Sequence, residues 1–183
     1  QPKMKEAAAS PVTVLFTDIV GSSAMIQTLG DVGVQEVVLA HNRIVRAALT
    51  AFDGREIKHT GDGIMASFSE VTDSVDASIQ MQRETIQHNS QDPKLPLSLK
   101  IGINAGEPIV EGNDLFSTVV QLSARIVDKA QADQIFVSEI VRSICAGKNY
   151  QFESKGDHAM KGFDGNTTLY EVLWGNEGAA AAE

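Results

Sequence analysis

The chain has 183 residues, 43% of them hydrophobic and 21% charged, a balance that builds one globular core and excludes collagen-like, low-complexity and disulfide-scaffold chains. Lys and Arg number 15 against 24 Asp and Glu, a formal net charge of -9, which is the wrong sign for a protein whose affinity comes from nucleic-acid phosphates. A small anionic ligand still fits where a few cations or metal ions converge.

Cys145 is the only cysteine, so no intrachain disulfide, CxxC pair or cysteine-rich zinc site is available, and a reducing cytoplasm is the simplest compartment. No apolar run approaches the roughly 18 residues of a membrane span. The opening Gln1-Pro-Lys-Met lacks the apolar stretch of a signal peptide and reads as a trimmed end. Any sensor, regulatory domain or anchor would lie outside this chain.

In chain order, residues 1–11 form a polar lead and Val12 to Thr17 a β-branched and aromatic strand, followed by Asp18 and the turn Gly21-Ser22-Ser23. From Val34 to Phe52 the apolar residues Val37, Val38, Ile44, Val45, Ala48 and Leu49 recur at helical spacing until Asp53-Gly54. Arg55 to Thr60 and Ile64 to Phe68 read as strands joined by a tight turn at Gly61-Asp62-Gly63, which puts a carboxylate at the hairpin tip. Thr72-Asp73 is positioned to cap a second helix carrying Val75, Ile79, Gln82 and Ile86, and Pro93 and Pro96 bound the next loop.

Leu97 to Ile103 alternates as a strand, Pro108 to Asp114 is a loop, and Val119 to Ala130 a helix. Ile135 to Val137 is a buried strand and Glu139 to Cys145 a short helix. Gln151 to Ser154 and Thr167 to Trp174 finish the sheet around the loop Lys161 to Gly165, and 175–183 is a low-complexity tail. The order predicts an α+β domain over 12–174: a βαββαβ core with an α-β-α-β-β extension, its helices packed on a mostly antiparallel sheet.

In a βαββ unit the first strand and the hairpin are neighbours, so Asp18 and Asp62 can meet at one edge as paired hard oxygen ligands. Such a pair suits magnesium or manganese carrying a triphosphate. The backbone amides of Val20, Gly21 and Ser22 open a helix beside them, where free N–H groups favour a phosphate. Taken singly, the aspartates read more simply as structural residues, Asp18 or Ser22 capping a helix and Asp62 an ordinary turn residue.

Four segments together resemble the class III nucleotidyl cyclase catalytic domain. They are Phe16-Thr-Asp-Ile-Val-Gly-Ser-Ser23, Ile57-Lys-His-Thr-Gly-Asp-Gly63, Asp114-Leu-Phe-Ser-Thr-Val-Val-Gln-Leu-Ser-Ala-Arg125 and Met160-Lys-Gly162. They stand in the family's order from about Val12 to Trp174, and the overall flavour is similar to the short bacterial, mycobacterial-type adenylyl cyclases. The resemblance implies a ferredoxin-like, palm-type core and a head-to-tail homodimer, each site built from both subunits. It implies two metal ions per site, Mg²⁺ or Mn²⁺, on Asp18, Asp62 and the Ile19 carbonyl. Lys58 and Asp114 fall on its base-recognition positions, Arg125 on the arginine that stabilises the α-phosphate during transfer, and Lys161 on the lysine that holds the β- and γ-phosphates.

The base preference has its own chemistry. Adenine offers an acceptor at N1 and a donor at its exocyclic amine, matching a lysine donor and an aspartate acceptor, whereas guanine presents the opposite polarity. The implied substrate is ATP and the implied products are 3′,5′-cyclic AMP and pyrophosphate. Two positions depart from the pattern. Gln121 stands where the family has a ribose-orienting asparagine, and Ser117 replaces a common glycine. The longer amide either bends to fit or misplaces the sugar, and a misplacement of about 1 Å costs on the order of a hundredfold in rate. A non-catalytic nucleotide-binding dimerisation module is therefore the alternative to a cyclase, with guanylyl cyclase a second. His41, His59, His88 and His158 lack metal-ligand spacing, and zinc is not expected.

Overall fold

The computed structural model describes residues 12–106 and 114–175, with side chains from 118 onward in the second span. The chain runs β1 (Val12–Ile19), α1 (Ser22–Ala51), β2 (Arg55–His59), β3 (Ile64–Phe68), α2 (Val71–Gln91) and β4 (Leu99–Gly106). It continues α3 (Asp114–Lys129), β5 (Ile135–Ser138), α4 (Glu139–Ile144), β6 (Gln151–Ala159) and β7 (Asn166–Leu173). This is the expected order, a βαββαβ core followed by α-β-α-β-β. The seven strands form one sheet in the order β2-β3-β1-β4-β5-β7-β6. Its pairs are antiparallel except β4 with β5. No described helix is long and apolar enough to cross a membrane.

The sheet is covered on both faces. Leu15, Ile64, Ile101 and Val137 pack with Val37, Ile44 and Val45 of α1, Val75 and Met81 of α2 and Val141 of α4. On the other face α3 makes smaller apolar contacts: Val119 with Val14 and Met65, and Ile126 with Phe136 and Leu169. The approach of α3 depends on Gly102 of β4, where a Cβ would lie 2.5 Å from the Val127 backbone nitrogen. Any larger residue there forces the helix off the sheet. The buried Ser123 hydroxyl then donates to the Val14 carbonyl oxygen at 2.9 Å, fixing α3 over β1.

Several element boundaries differ from the sequence reading. The first helix starts at Ser22, twelve residues before Val34, because two helical pieces join at Gly30, whose φ of 70° and ψ of 177° break the ladder. Ile26, Gln27 and Thr28 are exposed, so the first piece buries too little to show an apolar period. Thr72-Asp73 does not cap the second helix. Glu70 occupies the cap without a side-chain bond, and Asp73 lies in the first turn, where its charge complements the helix dipole. The last hairpin is longer than expected because β6 continues through a bulge between Ser154 and Asp157 to Ala159. Its exposed polar sequence carries no alternation.

Candidate active site

The pleat decides which face each candidate residue joins. Alternate residues of a strand point to opposite faces. Leu15, Thr17 and Ile19 of β1 therefore face α1, whereas Val14, Phe16 and Asp18 face α3. Across the hairpin, Lys58 pairs with Met65 and His59 with Ile64. Met65 belongs to the α3-side cluster and Ile64 to the α1-side cluster. Lys58 thus shares its face with Asp18, and His59 lies on the other.

The Asp62 turn is fastened against the end of β1. The Ile19 N–H donates to the Asp62 carbonyl oxygen at 2.9 Å, and the Ser22 hydroxyl donates to Asp62 Oδ2 at 2.9 Å. Contact this close requires glycine at position 63, since a Cβ there would sit 1.8 Å from the Thr17 carbonyl oxygen. Gly21, in the left-handed region at φ 71°, turns the chain from β1 into α1 and brings Ser22 round to Asp62.

Burial holds the Asp18 carboxyl above its ordinary 3.8. Lys100 of β4, with Nζ 3.7 Å from Asp18 Oδ2, pulls it down, and the charges of Asp62 and of Asp128 on α3 push it up again. Asp18 and Asp62 are therefore within electrostatic reach of each other and their negative charge is only partly neutralised. Two carboxylates beside a backbone carbonyl are hard oxygen donors of the kind that Mg²⁺ takes together with substrate phosphates. Among the described residues no group of three or more His, Cys, Asp or Glu forms a closed metal cage. The donor set fits a divalent cation whose remaining ligands come from a bound anion or water.

The phosphate cradle expected from three backbone amides is smaller than that. The Val20 N–H already donates to the Ser98 carbonyl oxygen at 2.9 Å, so it is not a free donor. The amides of Gly21 and Ser22, at the helix N-terminus, are the ones positioned for an anion.

The remaining candidates do not converge on the aspartates within one chain. Lys58 is exposed on β2, the strand at one edge of the sheet. Gln121 and Arg125 lie four residues apart on one face of α3; Gln121 is exposed, and Arg125 Nη1 is 3.7 Å from Asp128 Oδ2. Lys161 is exposed in the turn after β6, next to Met160, which is buried against Ile126 and Leu169. Among the described residues no hydrogen bond or ion pair joins these four to Asp18 or Asp62. Asp114 opens α3, and its side chain, like that of Ser117, lies outside the described residues.

A hollow of about 940 Å³ lies between α2 and Lys148–Tyr150 and includes none of the candidates. An apolar groove of about 400 Å³ reaches Gly21, lined by Met25, Leu29, Pro93 and Pro96. Cys145 is buried and burial raises its thiol pKa, so it is no nucleophile.

Thr17, His41, Asn42, Lys100 and Asp128 belong to the surroundings of the site although the sequence reading assigned them no role. For His41 a signal existed. It falls within the buried stripe Val37, Ile44, Val45 and Ala48 of α1, where a polar ring must find partners.

Comparison with known proteins adds a family to this geometry. The sequence profile of the adenylate and guanylate cyclase catalytic domain matches residues 4–173. An adenylate cyclase of Mycosarcoma maydis is 29% identical over 154 residues, covering 71% of this chain and 6% of that protein. The chain spans at most about a quarter of the length of the first curated relatives it matches. Among solved structures, the adenylyl cyclase CyaB from P. aeruginosa superposes with a TM-score of 0.75 at 21% identity, covering 89% of this chain and 93% of that one. The guanylate cyclase domain of RhGC from Catenaria anguillulae, in complex with GTP, gives 0.74 at 14% identity, with 91% and 97% covered. Likeness at this level is likeness of fold, and it extends equally to a domain that holds GTP.

Proposed function

Because the chain belongs to the adenylate and guanylate cyclase catalytic domain family, we propose that it is an adenylyl cyclase, converting ATP to 3′,5′-cyclic AMP and pyrophosphate. The observation that carries this reading is the Asp62 turn, tied to the end of β1 through Ile19 and to α1 through Ser22, which sets two carboxylates beside the Gly21-Ser22 amides. Two divalent cations, Mg²⁺ or Mn²⁺, on Asp18, Asp62 and the Ile19 carbonyl would lower the pKa of the ribose 3′-hydroxyl and hold the triphosphate. The 3′-oxygen attacks the α-phosphorus in line and its proton passes to solvent. The bond to the β-phosphate oxygen breaks, and pyrophosphate leaves.

The other residues supply binding and charge. Lys58 donates to adenine N1 and Asp114 accepts from the exocyclic amine, a pairing that guanine meets with the wrong polarity. Arg125 meets the charge that develops on the α-phosphate, which its planar fork suits better than a lysine point charge. Gln121 orients the ribose, and Lys161 binds the β- and γ-phosphates. Since Lys58, Gln121 and Arg125 make no link to the aspartates of their own chain, the reading includes a head-to-tail homodimer in which each complete site draws on both subunits.

The test is cyclic nucleotide production from ATP and from GTP, with Mg²⁺ and then Mn²⁺, over a series of protein concentrations beside Asp62→Ala. Cyclic AMP rising faster than linearly with protein and absent from the variant is the expected result. Bound ATP with no product at any concentration turns the reading to a nucleotide-binding dimerisation module, which Gln121 favours. Replacing Lys58→Glu with Asp114→Gly is expected to weaken ATP use and admit GTP; an unchanged preference removes the base-recognition assignment.

A further inference from the structure

The Asp62 turn is anchored a second time, from the face of the sheet that carries no catalytic carboxylate. The Gly61 N–H donates to His59 Nδ1 at 3.3 Å, and His59 Nε2 lies 3.3 Å from Asn42 Oδ1 of α1. The same Asn42 oxygen is 2.9 Å from His41 Nδ1. His41 Nε2 is 2.8 Å from the Thr17 hydroxyl, which accepts from the Ile64 N–H at 3.0 Å. The chain of contacts thus leaves the turn at Gly61, passes through two adjacent residues of α1, and returns at Ile64.

One backbone amide fixes every proton in this chain. Gly61 can only donate, so His59 Nδ1 is bare and the proton of the neutral ring is on Nε2. His59 Nε2–H then needs an acceptor, which makes the facing atom of Asn42 its oxygen. An amide oxygen accepts only, so His41 Nδ1 carries the other ring's proton and His41 Nε2 is bare. The Thr17 hydroxyl therefore donates to His41 and is left to accept from Ile64. Two arms of donors, one from each side of Asp62, converge on the single oxygen of Asn42.

We propose that His41, Asn42 and His59 are positioning residues for the Asp62 carboxylate, a brace on α1 that sets the placement of Asp62 relative to Asp18 and so the strength with which the pair holds a divalent cation. The inference rests on the reading of Asp18 and Asp62 as metal ligands. Its logic is that of outer-shell support: a ligand presented on an exposed turn has the right position only where the turn itself is held. Thr17 extends the brace to β1, one residue before Asp18. Because His41 is wholly buried among the core residues of α1, the brace ties the turn to the packed interior of the domain.

Two measurements test it. In metal-free protein, ¹⁵N NMR of the imidazoles is expected to find the two rings in opposite tautomers, His41 protonated on Nδ1 and His59 on Nε2; the same tautomer in both overturns the wiring. Direct Mn²⁺ binding, read by electron paramagnetic resonance of the free ion, is expected to weaken about tenfold in Asn42→Ala and in His59→Phe. Neither removes buried core volume, and both are expected to fold. His41→Gln keeps an acceptor for the Thr17 hydroxyl and is expected to recover most of the affinity that His41→Leu loses. In turnover, the Mn²⁺ concentration that gives half-maximal cyclic AMP formation is expected to rise about tenfold in the same variants.

Lower melting temperatures with Mn²⁺ affinity within twofold of wild type overturn the proposal, since a merely structural role does that. A wild-type chain that binds Mn²⁺ but forms no cyclic nucleotide overturns the cyclase reading alone, and the affinities still judge the brace. A wild-type chain that binds no Mn²⁺ overturns both.

Discussion

The two faces of the sheet are built to different ends. Under α1, α2 and α4 lies one broad apolar cluster running from Leu15 to Trp174, and one of its polar insertions, His41, is paired on both ring nitrogens. Under α3 the apolar contacts are two small groups, and the same side of the domain carries the ion pairs Lys100 with Asp18 and Arg125 with Asp128. Asp18 is held above its ordinary pKa chiefly by burial. A folded-state pKa raised in this way favours folding only below the unfolded value and disfavours it as pH rises through the folded value. At neutral pH, then, one face supplies stability and the other gives some of it up to keep a half-buried carboxylate charged.

Removing the charges separates the two ends most sharply. Asp62→Ala and Asp18→Asn are each expected to lower cyclic AMP formation by more than about a thousandfold, an outcome read in the nucleotide assay. In thermal melts of the metal-free protein, Asp18→Asn is expected to raise the midpoint at neutral pH, because it deletes a charge that burial penalises. An active Asp18→Asn variant, or one that melts lower than wild type, collapses the division between the faces. Next in size is Arg125→Lys. It keeps the positive charge and loses the planar fork, and kcat is expected to fall by about a hundredfold or more while the KM for ATP changes little.

The two faces also differ in how far the sequence discloses them. The α1 face was legible because burial leaves a period: Val37, Ile44, Val45 and Ala48 mark the helix, and Leu99, Ile101 and Ile103 the strand beneath it. The ends of elements were less so, since the first turns of α1 and the far half of β6 are exposed and bury nothing periodic. The site's carboxylates could be named from their place after a strand and within a turn. Their surroundings could not, because Lys100 and Asp128 are separated from Asp18 by long stretches of chain and meet it only through strand register and helix packing. The commitment of the Val20 amide to Ser98 is of the same kind: it depends on the loop before β4, which nothing near Val20 encodes.

The buried histidine offers a test of the stabilising face with a defined sign. Burial lowers His41 from 6.5 to about 4, with the Asn42 hydrogen bond opposing and the charge of Arg46 reinforcing the shift. A folded pKa below the unfolded one gives stability that is complete above about pH 6.5 and is lost as pH falls toward 4. The loss attributable to His41 at pH 4 is about 3 kcal/mol. Asp18 contributes the opposite slope in the same range, so the quantity to measure is the difference in urea-unfolding free energy between wild type and His41→Gln at each pH. That difference is expected to narrow as pH falls below 6.5; a constant gap shows that His41 is not held neutral by the fold.

The smallest effect belongs to the residue on the α3 face that departs from the family pattern. Gln121 is exposed on α3, four residues before Arg125, and no hydrogen bond fixes its amide among the described residues. Its extra methylene gives it reach but also another rotor, and ordering that side chain on a ribose costs about 0.5–1 kcal/mol more than ordering an asparagine. Gln121→Asn is therefore expected to raise kcat by a few-fold, with the melting temperature unchanged because the side chain is exposed. A fall in kcat instead places the ribose farther from α3 than an asparagine reaches. In that case the longer side chain is an adaptation of this chain's site to its own inter-helix spacing, and the departure from the family pattern is compensated, not tolerated.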